Sequence, residues 1–426
     1  MIQKPKGTYD VYGAYGKKVL YIEKIIAALM EKYNYQYLRT PLFENSDLFH
    51  RGVGITTDIV SKETYDFIDR GNRNMSLRPE GTAGIVRSFI ENKLYAEADQ
   101  PIKAWYYGPM YRYEQPQSGR FREFYQFGVE LLGSNDPVAD AEIISIPVSL
   151  YRLLGLKGIK VKINSLGDSE SRTLYREALL TYFKPLLKDL CEDCKKRYET
   201  NPLRILDCKV DAHLDIIKNA PVMSDYLSLD SQRHFTEVKK YLDILEIEYT
   251  VNPRLVRGLD YYTETVFEVE ASVEGFGSQN VLCGGGRYNN LVETIDGPAT
   301  PATGFAIGIE RLITALDFEN IILEEDDGID AYVIPVMESE KAHALALTQT
   351  LRLNGFKVDM DYLNRNVKAN FKQADRLKTK FVIIIGEEEV KNQELTIKDN
   401  HSHEEYKIQE MYVVNFLDEK IGEEHE

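Results

Sequence analysis

Apolar and polar positions follow two rhythms along the chain, and the switch between them outlines its elements. Val19, Leu20, Ile22, Ile25, Ile26 and Leu29 recur at helical spacing and predict a helix over 17–33 with one broad apolar face. Glu23 and Lys24 break the longest apolar-rich stretch, Val19 to Met30, so this helix reads as amphipathic and not as a membrane span. Tyr35-Gln36-Tyr37-Leu38-Arg39-Thr40 alternates with a period of two and reads as a strand that Pro41 ends. From 64 to 130 come short aromatic-rich strands separated by Gly and Pro, among them 102–107 and 124–130. A helix is predicted over 138–154, a strand over 160–164 and a mainly helical block over about 169–247. Strand character resumes at Tyr249 and runs to about Val281, and a helix over 306–318 follows a Gly- and Pro-rich turn. This order predicts an antiparallel sheet with a helical block inserted between two of its parts.

Glu324-Glu325-Asp326-Asp327-Gly328 reads as an acidic linker. Beyond it, strands at 331–336, 357–360 and 381–385 alternate with helices at about 339–354 and 366–378, which predicts a small α/β domain. Lys368, Lys372 and Arg376 are four apart and share one face of the second helix, with Lys378 and Lys380 following. Such a basic stripe suits nucleic-acid phosphates, and a solvated helix face has the same spelling.

The 426 residues exceed one ordinary core, so two or three domains are expected. A net charge of -16 argues against a protein that coats nucleic acid by bulk attraction. It leaves room for a local basic groove, because salt confines a charge's field to about 10 Å. No apolar signal core follows Met1-Ile2-Gln3-Lys4, so a cytoplasmic protein with reduced thiols and no membrane association is the expectation. Cys191 and Cys194 have Cys-x-x-Cys spacing, with Cys208 and His213 downstream, a pattern open to zinc. The helical reading of the region favours buried or free thiols, and no metal ligand is assigned.

Five stretches carry candidate chemistry. Pro116 and Gly119 mark a turn that sets Arg112 and Arg120 on or near its flanking strands, where guanidinium forks suit phosphate oxygens. Period two then puts Gln126 and Glu130 on one sheet face. Alone, this stretch reads equally as a strand with solvated ion pairs. In Leu77-Arg78-Pro79-Glu80-Gly81-Thr82, Glu80 and Thr82 suit a small polar ligand's ammonium group, or simply cap the next helix. In Leu255-Val256-Arg257-Gly258-Leu259-Asp260-Tyr261-Tyr262, the two tyrosines point to opposite faces if the segment is extended. Gly284-Gly285-Gly286-Arg287-Tyr288 is a close-approach element or a flexible loop. Gly304, Ala306 and Gly308 alternate on one strand face and leave a flat slot for a ring, with Arg311 at the start of a helix.

Taken together, these spellings and their order resemble the class II aminoacyl-tRNA synthetases, and among them the histidyl-tRNA synthetase family, over essentially the whole chain. Pro5-Lys6-Gly7-Thr8-Tyr9-Asp10 is similar to that family's N-terminal signature, although Asp10-Val11-Tyr12-Gly13 departs from its usual continuation. The segment ending at Pro41 resembles motif 1, which builds a dimer interface. Arg112 to Glu130 resembles motif 2, Gly304 to Arg311 resembles motif 3, and Leu255 to Tyr262 resembles the element peculiar to this family.

The resemblance implies an α+β fold. An antiparallel-sheet catalytic domain would occupy 1–325, with a helical insertion at about 169–247, and a C-terminal α/β anticodon-binding domain would occupy 329–426. It implies activation of L-histidine by ATP with Mg²⁺, transfer to tRNA(His), and a homodimer. Arg112 and Arg257 would act at the α-phosphate, with Arg120 and Arg311 also on ATP. Glu80, Gly81, Thr82, Gln126, Glu130, Tyr261 and Tyr262 would bind histidine. Gln117, Lys368, Lys372 and Arg376 would bind tRNA. Where the family commonly has Arg-Pro-Gln, this chain has Gln115-Pro116-Gln117, which removes one cation from the tRNA acceptor end. A regulatory paralogue without catalysis typically lacks both the last domain and the arginines that stand here.

Overall fold

The computed structural model describes residues 1–54, 57, 59–116, 119–206, 208, 210–273, 280–323 and 328–422. It divides into two compact units, Met1–Leu323 and Glu324–Glu426. Residues 324–327 of the acidic linker lie outside the described residues.

Helix α1 (Gly13–Lys32) opens the first unit and buries Ile22, Ile26, Leu29 and Met30. Leu20 is 58% exposed, contrary to the broad apolar face expected. At about 100° per residue it lies some 200° round the helix from Ile22. The strand expected over 35–40 contracts to β1 (Gln36–Tyr37). Asn34 takes a positive φ, and the Tyr35 N–H donates back to the Met30 carbonyl at 3.0 Å, so Tyr35 closes the helix instead of entering the sheet. Strand β2 (Phe43–Asn45) and helix α2 (Ser46–Phe49) follow. β3 (Tyr65–Ile68) and β4 (Asn74–Leu77) complete a small sheet in the order β2-β4-β3, and α3 (Thr82–Glu91) leaves its end.

Next come β5 (Ile102–Tyr111), β6 (Glu123–Leu132), α4 (Pro137–Leu153) and β7 (Ile159–Ser165). The helical block holds α5 (Ser169–Phe183), α6 (Glu192–Thr200), α7 (Asp215–Lys218) and α8 (Leu229–Ile244). The chain then returns through β8 (Tyr249–Val251), β9 (Thr263–Ala271), β10 (Val281–Arg287), α9 (Leu291–Thr294), β11 (Ala302–Gly308) and α10 (Ile309–Phe318). The helix expected from 306 starts only at Ile309, because residues 302–308 pair with β6 and β10 as a strand.

Among the described residues, the main sheet runs β1-β5-β6-β11-β10-β9-β7-β8. Its six inner strands are antiparallel, and β1 and β8 lie parallel to their neighbours at the edges. Alternation along β6 explains the two faces. Phe127, Val129 and Leu131 join α1 and α4 in one apolar core. Gln126, Gly128 and Glu130 point to the other face.

The second unit is built from β12 (Ala331–Pro335), α11 (Lys341–Leu353), β13 (Val358–Met360), α12 (Val367–Arg376), β14 (Phe381–Ile385), α13 (Glu387–Asn392), β15 (Glu394–Asp399), β16 (Glu405–Gln409) and α14 (Val413–Gly422). The sheet order is β13-β12-β14-β15-β16, parallel through the first three and antiparallel after them. All of β12 is buried, as expected of a parallel strand covered on both faces. The architecture is the α+β class expected, with mixed helices and an antiparallel-rich main sheet.

A candidate active-site cleft

An open cleft lies over the Gln126 face of the main sheet. Glu80, Thr82, Arg112, Arg120, Gln126, Arg257, Tyr261, Tyr262 and Arg311 all line it, although they come from separate stretches of chain. Gly81 and Glu130 are buried and are not part of the lining. Gln117 is outside the described residues.

One end of the cleft is cationic. Strand β5 stops at Tyr111 and β6 starts at Glu123, so Arg112 and Arg120 sit just beyond the paired ends. The Arg112 Nε donates to the Pro79 carbonyl at 2.9 Å, and its guanidinium stands over the Phe124 ring at 5.2 Å. Both anchors fix the fork, because its rotamers are restrained on two sides. Glu114 pairs with Arg120 at 3.3 Å and approaches Arg112 at 3.8 Å. The Arg311 Nη1 donates to the Val281 carbonyl at 3.1 Å. Burial and the nearby Arg120 and Arg112 charges all lower the Arg311 pKa. Crowded like charges in a partly dry cleft form a ready-made anion site.

Arg257 lines the cleft and is ion-paired with Glu268. Burial alone would lower its pKa, but the Glu268 carboxylate outweighs burial and raises it. Gly284 explains how the guanidinium fits: a Cβ there would stand 1.9 Å from Arg257 Nη2. The three glycines are therefore no flexible loop. They are the interior of β10, and a Cβ at Gly285 would strike the Gly304 carbonyl at 2.3 Å. Arg287 is fully buried and bound to Asp140 at 2.9 Å, a structural ion pair.

The other end is polar, lined by Glu80, Thr82, Gln126, Tyr261 and Tyr262, with the Glu130 carboxyl buried beside it. Glu80 accepts from the Thr82 and Ala83 amides, each at 2.8 Å, so it both caps α3 and faces the cleft. Burial raises its pKa. Glu130 is fully buried and accepts from the Thr82 hydroxyl at 2.7 Å and the Tyr288 hydroxyl at 2.5 Å. Burial pushes its carboxyl up to about 8, and the two hydroxyl donors only partly oppose that. Tyr261 and Tyr262 do not sit on opposite faces. The segment is a turn before β9, and both rings line the cleft with centroids 4.7 Å apart. Burial pushes the Tyr262 hydroxyl up to about 12, so it stays protonated at neutral pH.

Several functional positions escape the motif reading. Tyr106 lies across from Gly128 in the β5–β6 register, and Cβ atoms at Gly128 and Gly81 would meet its ring at 2.1 and 2.3 Å. Its hydroxyl and Gln126 Oε1 are buried without a hydrogen-bond partner among the described residues. Unpaired buried polar atoms are uncommon and suit a polar ligand. The sequence signal for Tyr106 is a glycine opposite it in a strand, visible only once the register is known. Glu310 also lines the cleft; it accepts from the Tyr125 amide at 2.7 Å and from the Tyr9 hydroxyl. Tyr9 in turn packs on Phe121, and the Arg122 amide donates to the Gly7 carbonyl at 2.8 Å. These contacts seat the N-terminal signature on the loop that carries Arg112 and Arg120.

The slot on β11 is shorter than expected. Ala306 and Gly308 line the cleft, but a Cβ at Gly304 would stand 1.8 Å from Glu130 Oε2. Gly304 thus makes room for the carboxylate and not for a ligand ring.

In the second unit, α12 buries Asn370 and Ala374 and leaves Lys368, Lys372 and Arg376 exposed on the opposite side. Gln115 is exposed at the loop that joins β5 to β6.

Comparison with known proteins agrees over the full length. The family model for histidyl-tRNA synthetase matches residues 7–179 and 187–312, and the anticodon binding domain model matches 330–420. A histidine–tRNA ligase from Geobacillus sp. (strain WCH70) is 51% identical over 420 residues, covering 99% of each chain. One from Lysinibacillus sphaericus is 48% identical over 416 residues, covering 98% of this chain and 99% of the relative. The crystal structure of the apo S. aureus histidyl-tRNA synthetase superposes with a TM-score of 0.84 at 42% identity, over 98% of this chain and 100% of the other. With the models covering most of the chain and relatives near half identity end to end, the chain belongs to the histidyl-tRNA synthetase family of aminoacyl-tRNA ligases.

Proposed function

We propose that the cleft activates L-histidine with ATP and passes it to the 3′ end of tRNA(His). The observation that carries this reading is the joining of two unlike ends in one cleft. Arg112, Arg120 and Arg311 gather at one end, Arg257 stands near Tyr262, and Gln126 and the two tyrosines line the rest of the cleft beside a buried glutamate. In the first step a histidine carboxylate oxygen attacks the α-phosphorus, the bond to the β-phosphate oxygen breaks, and pyrophosphate leaves. Charge moves over phosphate oxygens, so fixed cations and alignment supply most of the rate. Arg112 and Arg257 take the α-phosphate, and Arg120 and Arg311 take the outer phosphates. In the second step the terminal ribose hydroxyl attacks the histidyl carbonyl and AMP leaves.

Mg²⁺ would accompany ATP and would offset the charge of its phosphates. Of the lining carboxylates, Glu80 and Glu310 are held by backbone amides, whereas Glu114, paired with Arg120 and near Arg112 among the described residues, would hold the ion.

For histidine, Glu80, Thr82 and Gln126 serve the amino end, with Gly81 letting Tyr106 pack close. Glu130 accepts an imidazole N–H. Thr82 donates to one of its oxygens and Tyr288 to the other, and each oxygen keeps room for a further contact with the ring. Tyr262 partners the other ring nitrogen, with Tyr261 beside it. The test is amino-acid-dependent ATP–pyrophosphate exchange. No exchange with histidine, or equal exchange with another amino acid, would sink the proposal.

Gln117 and the stripe of Lys368, Lys372 and Arg376 bind the tRNA. Changing the three cations together to alanine is expected to flatten the slope of log affinity against log salt by up to about 2.7, because roughly 0.7–0.9 of a counterion is released per phosphate contact. Exchange without tRNA should be unchanged. A salt slope identical to the parent's would remove this helix from the interface. The working form is a homodimer in the cytoplasm. Phe43, Phe67 and Ile68 stand exposed on the small β2-β4-β3 sheet, beside the segment similar to motif 1, which supports an apolar contact there. No helix among the described residues is long and apolar enough to cross a membrane.

A further inference from the structure

The helical block carries a cluster that the ligase chemistry does not use. Cys191, Cys194, Cys208 and Asp211 each offer one ligand atom, and these four atoms lie within 4.8 Å of one another. The spacing is Cys-x-x-Cys followed by Cys-x-x-Asp. His213, the downstream candidate in the sequence, is exposed and outside the group, and Asp211 stands in its place.

We propose that Cys191, Cys194, Cys208 and Asp211 bind one Zn²⁺ in a closed tetrahedral site that holds the insertion together.

Geometry supports zinc over a chance gathering of thiols. The sulfurs of Cys191 and Cys208 are 3.7 Å apart. Two thiolates on a tetrahedral zinc, each with a Zn–S distance of about 2.3 Å, are separated by roughly 3.75 Å. A supporting shell is also present. The Cys191 amide donates to Asp211 Oδ2 at 3.0 Å, which orients the carboxylate. The Asp211 amide lies 3.4 Å from the Cys208 sulfur and donates to it, which suits a thiolate. Cys191 precedes α6 and Cys194 is in its first turn, where the helix dipole favours negative charge. Asp211 is only 4% exposed, and buried carboxylates are normally paired or on a metal.

The insertion has reason to need such a tie. Its own core is small, gathered around Tyr175, Leu179, Phe183, Ile205 and Met223. Between α5 and α8 the described backbone is mostly short turns plus two short helices. A metal joining the start of α6 to the turn at Cys208 and Asp211 closes this stretch, as small domains with thin cores require. Loading is acid–base chemistry only: three thiols release three protons, Asp211 is already ionised, and Zn²⁺ takes four ligands.

The experiment uses the full-length chain, expressed without a metal-binding tag and purified without chelator. Elemental analysis is expected to return about one zinc per chain, the value for a single closed site. After removal of the metal under reducing conditions, Co²⁺ alone should give the intense visible bands of a tetrahedral site and a thiolate-to-cobalt charge-transfer band. Cys194→Ser should lose the zinc. Asp211→Asn should weaken Zn²⁺ binding by at least about 10-fold, while His213→Ala should leave it unchanged. No zinc in the parent together with no tetrahedral Co²⁺ spectrum would overturn the proposal. So would full stoichiometry in Cys194→Ser. Because Co²⁺ spectra are read on the parent chain, poor folding of a variant does not decide the outcome.

Discussion

Arg257→Ala is expected to slow histidine-dependent ATP–pyrophosphate exchange by about 10²–10³-fold, the usual cost of removing one fixed donor from a developing anionic centre. Histidine binding should weaken far less, because the histidine end of the cleft rests on other groups. The structure adds two reasons for expecting so large an effect. Arg257 is held by Glu268 in the cleft wall, so its charge is placed before substrate arrives. It is also seated against Gly284, where a Cβ would stand 1.9 Å from the guanidinium. Truncation leaves Glu268 without this cation, and its negative charge then faces the phosphates. Gly284→Ala should therefore reproduce the kinetic defect while keeping the arginine. Pre-steady-state adenylate formation, measured beside histidine affinity, separates the two steps. Equal losses in rate and affinity would contradict the assigned role.

Glu130→Gln should lower kcat/KM for histidine by about 100-fold or more and reduce its preference over other amino acids, since a site that pairs a polar ring depends on each partner. Unchanged selectivity would remove Glu130 from the imidazole site. The same substitution should act oppositely on stability. Burial pushes the Glu130 carboxyl up to about 8 from its ordinary value of about 4.5. Between those values the folded chain holds a proton that the unfolded chain has released. The parent thus loses stability as pH rises through this window, and the loss is complete above the folded value. The slope approaches about 1.4 kcal/mol per pH unit for one group, and glutamine does not titrate. Thermal unfolding at about pH 5.5 and about pH 8.5 should show the variant gaining on the parent at the higher pH. A constant difference between the two chains would mean that Glu130 is not held in the low-dielectric setting described.

Much of the architecture is written in local rhythm. The helices α1, α3, α4, α11 and α12, and strands β5, β6, β7 and β14, fall close to their expected places because amphipathic spacing and Pro or Gly punctuation are local signals. β15, β16 and α14 are not marked by local pattern, since short amphipathic segments carry too few positions to separate strand from helix. The site was legible in its charged motifs. Arg112, Arg120, Arg257 and Arg311 stand out as residues, and period two alone puts Gln126 and Glu130 on one face.

Sequence by itself determined the α+β class, the family and the residue types available for phosphate and for a polar ring. Tertiary structure alone decided which of them meet and what each glycine is for. Gly284, Gly304 and Gly128 make space for Arg257, Glu130 and Tyr106, and each partner is distant along the chain or across a strand pair. The same holds for Tyr261 and Tyr262, which share one side because their segment turns. It holds also for Cys208 and Asp211, brought back to Cys191 and Cys194 by the fold. Periodicity reports which way a side chain faces; register and chain return set what it faces, and those depend on contacts that no local window contains.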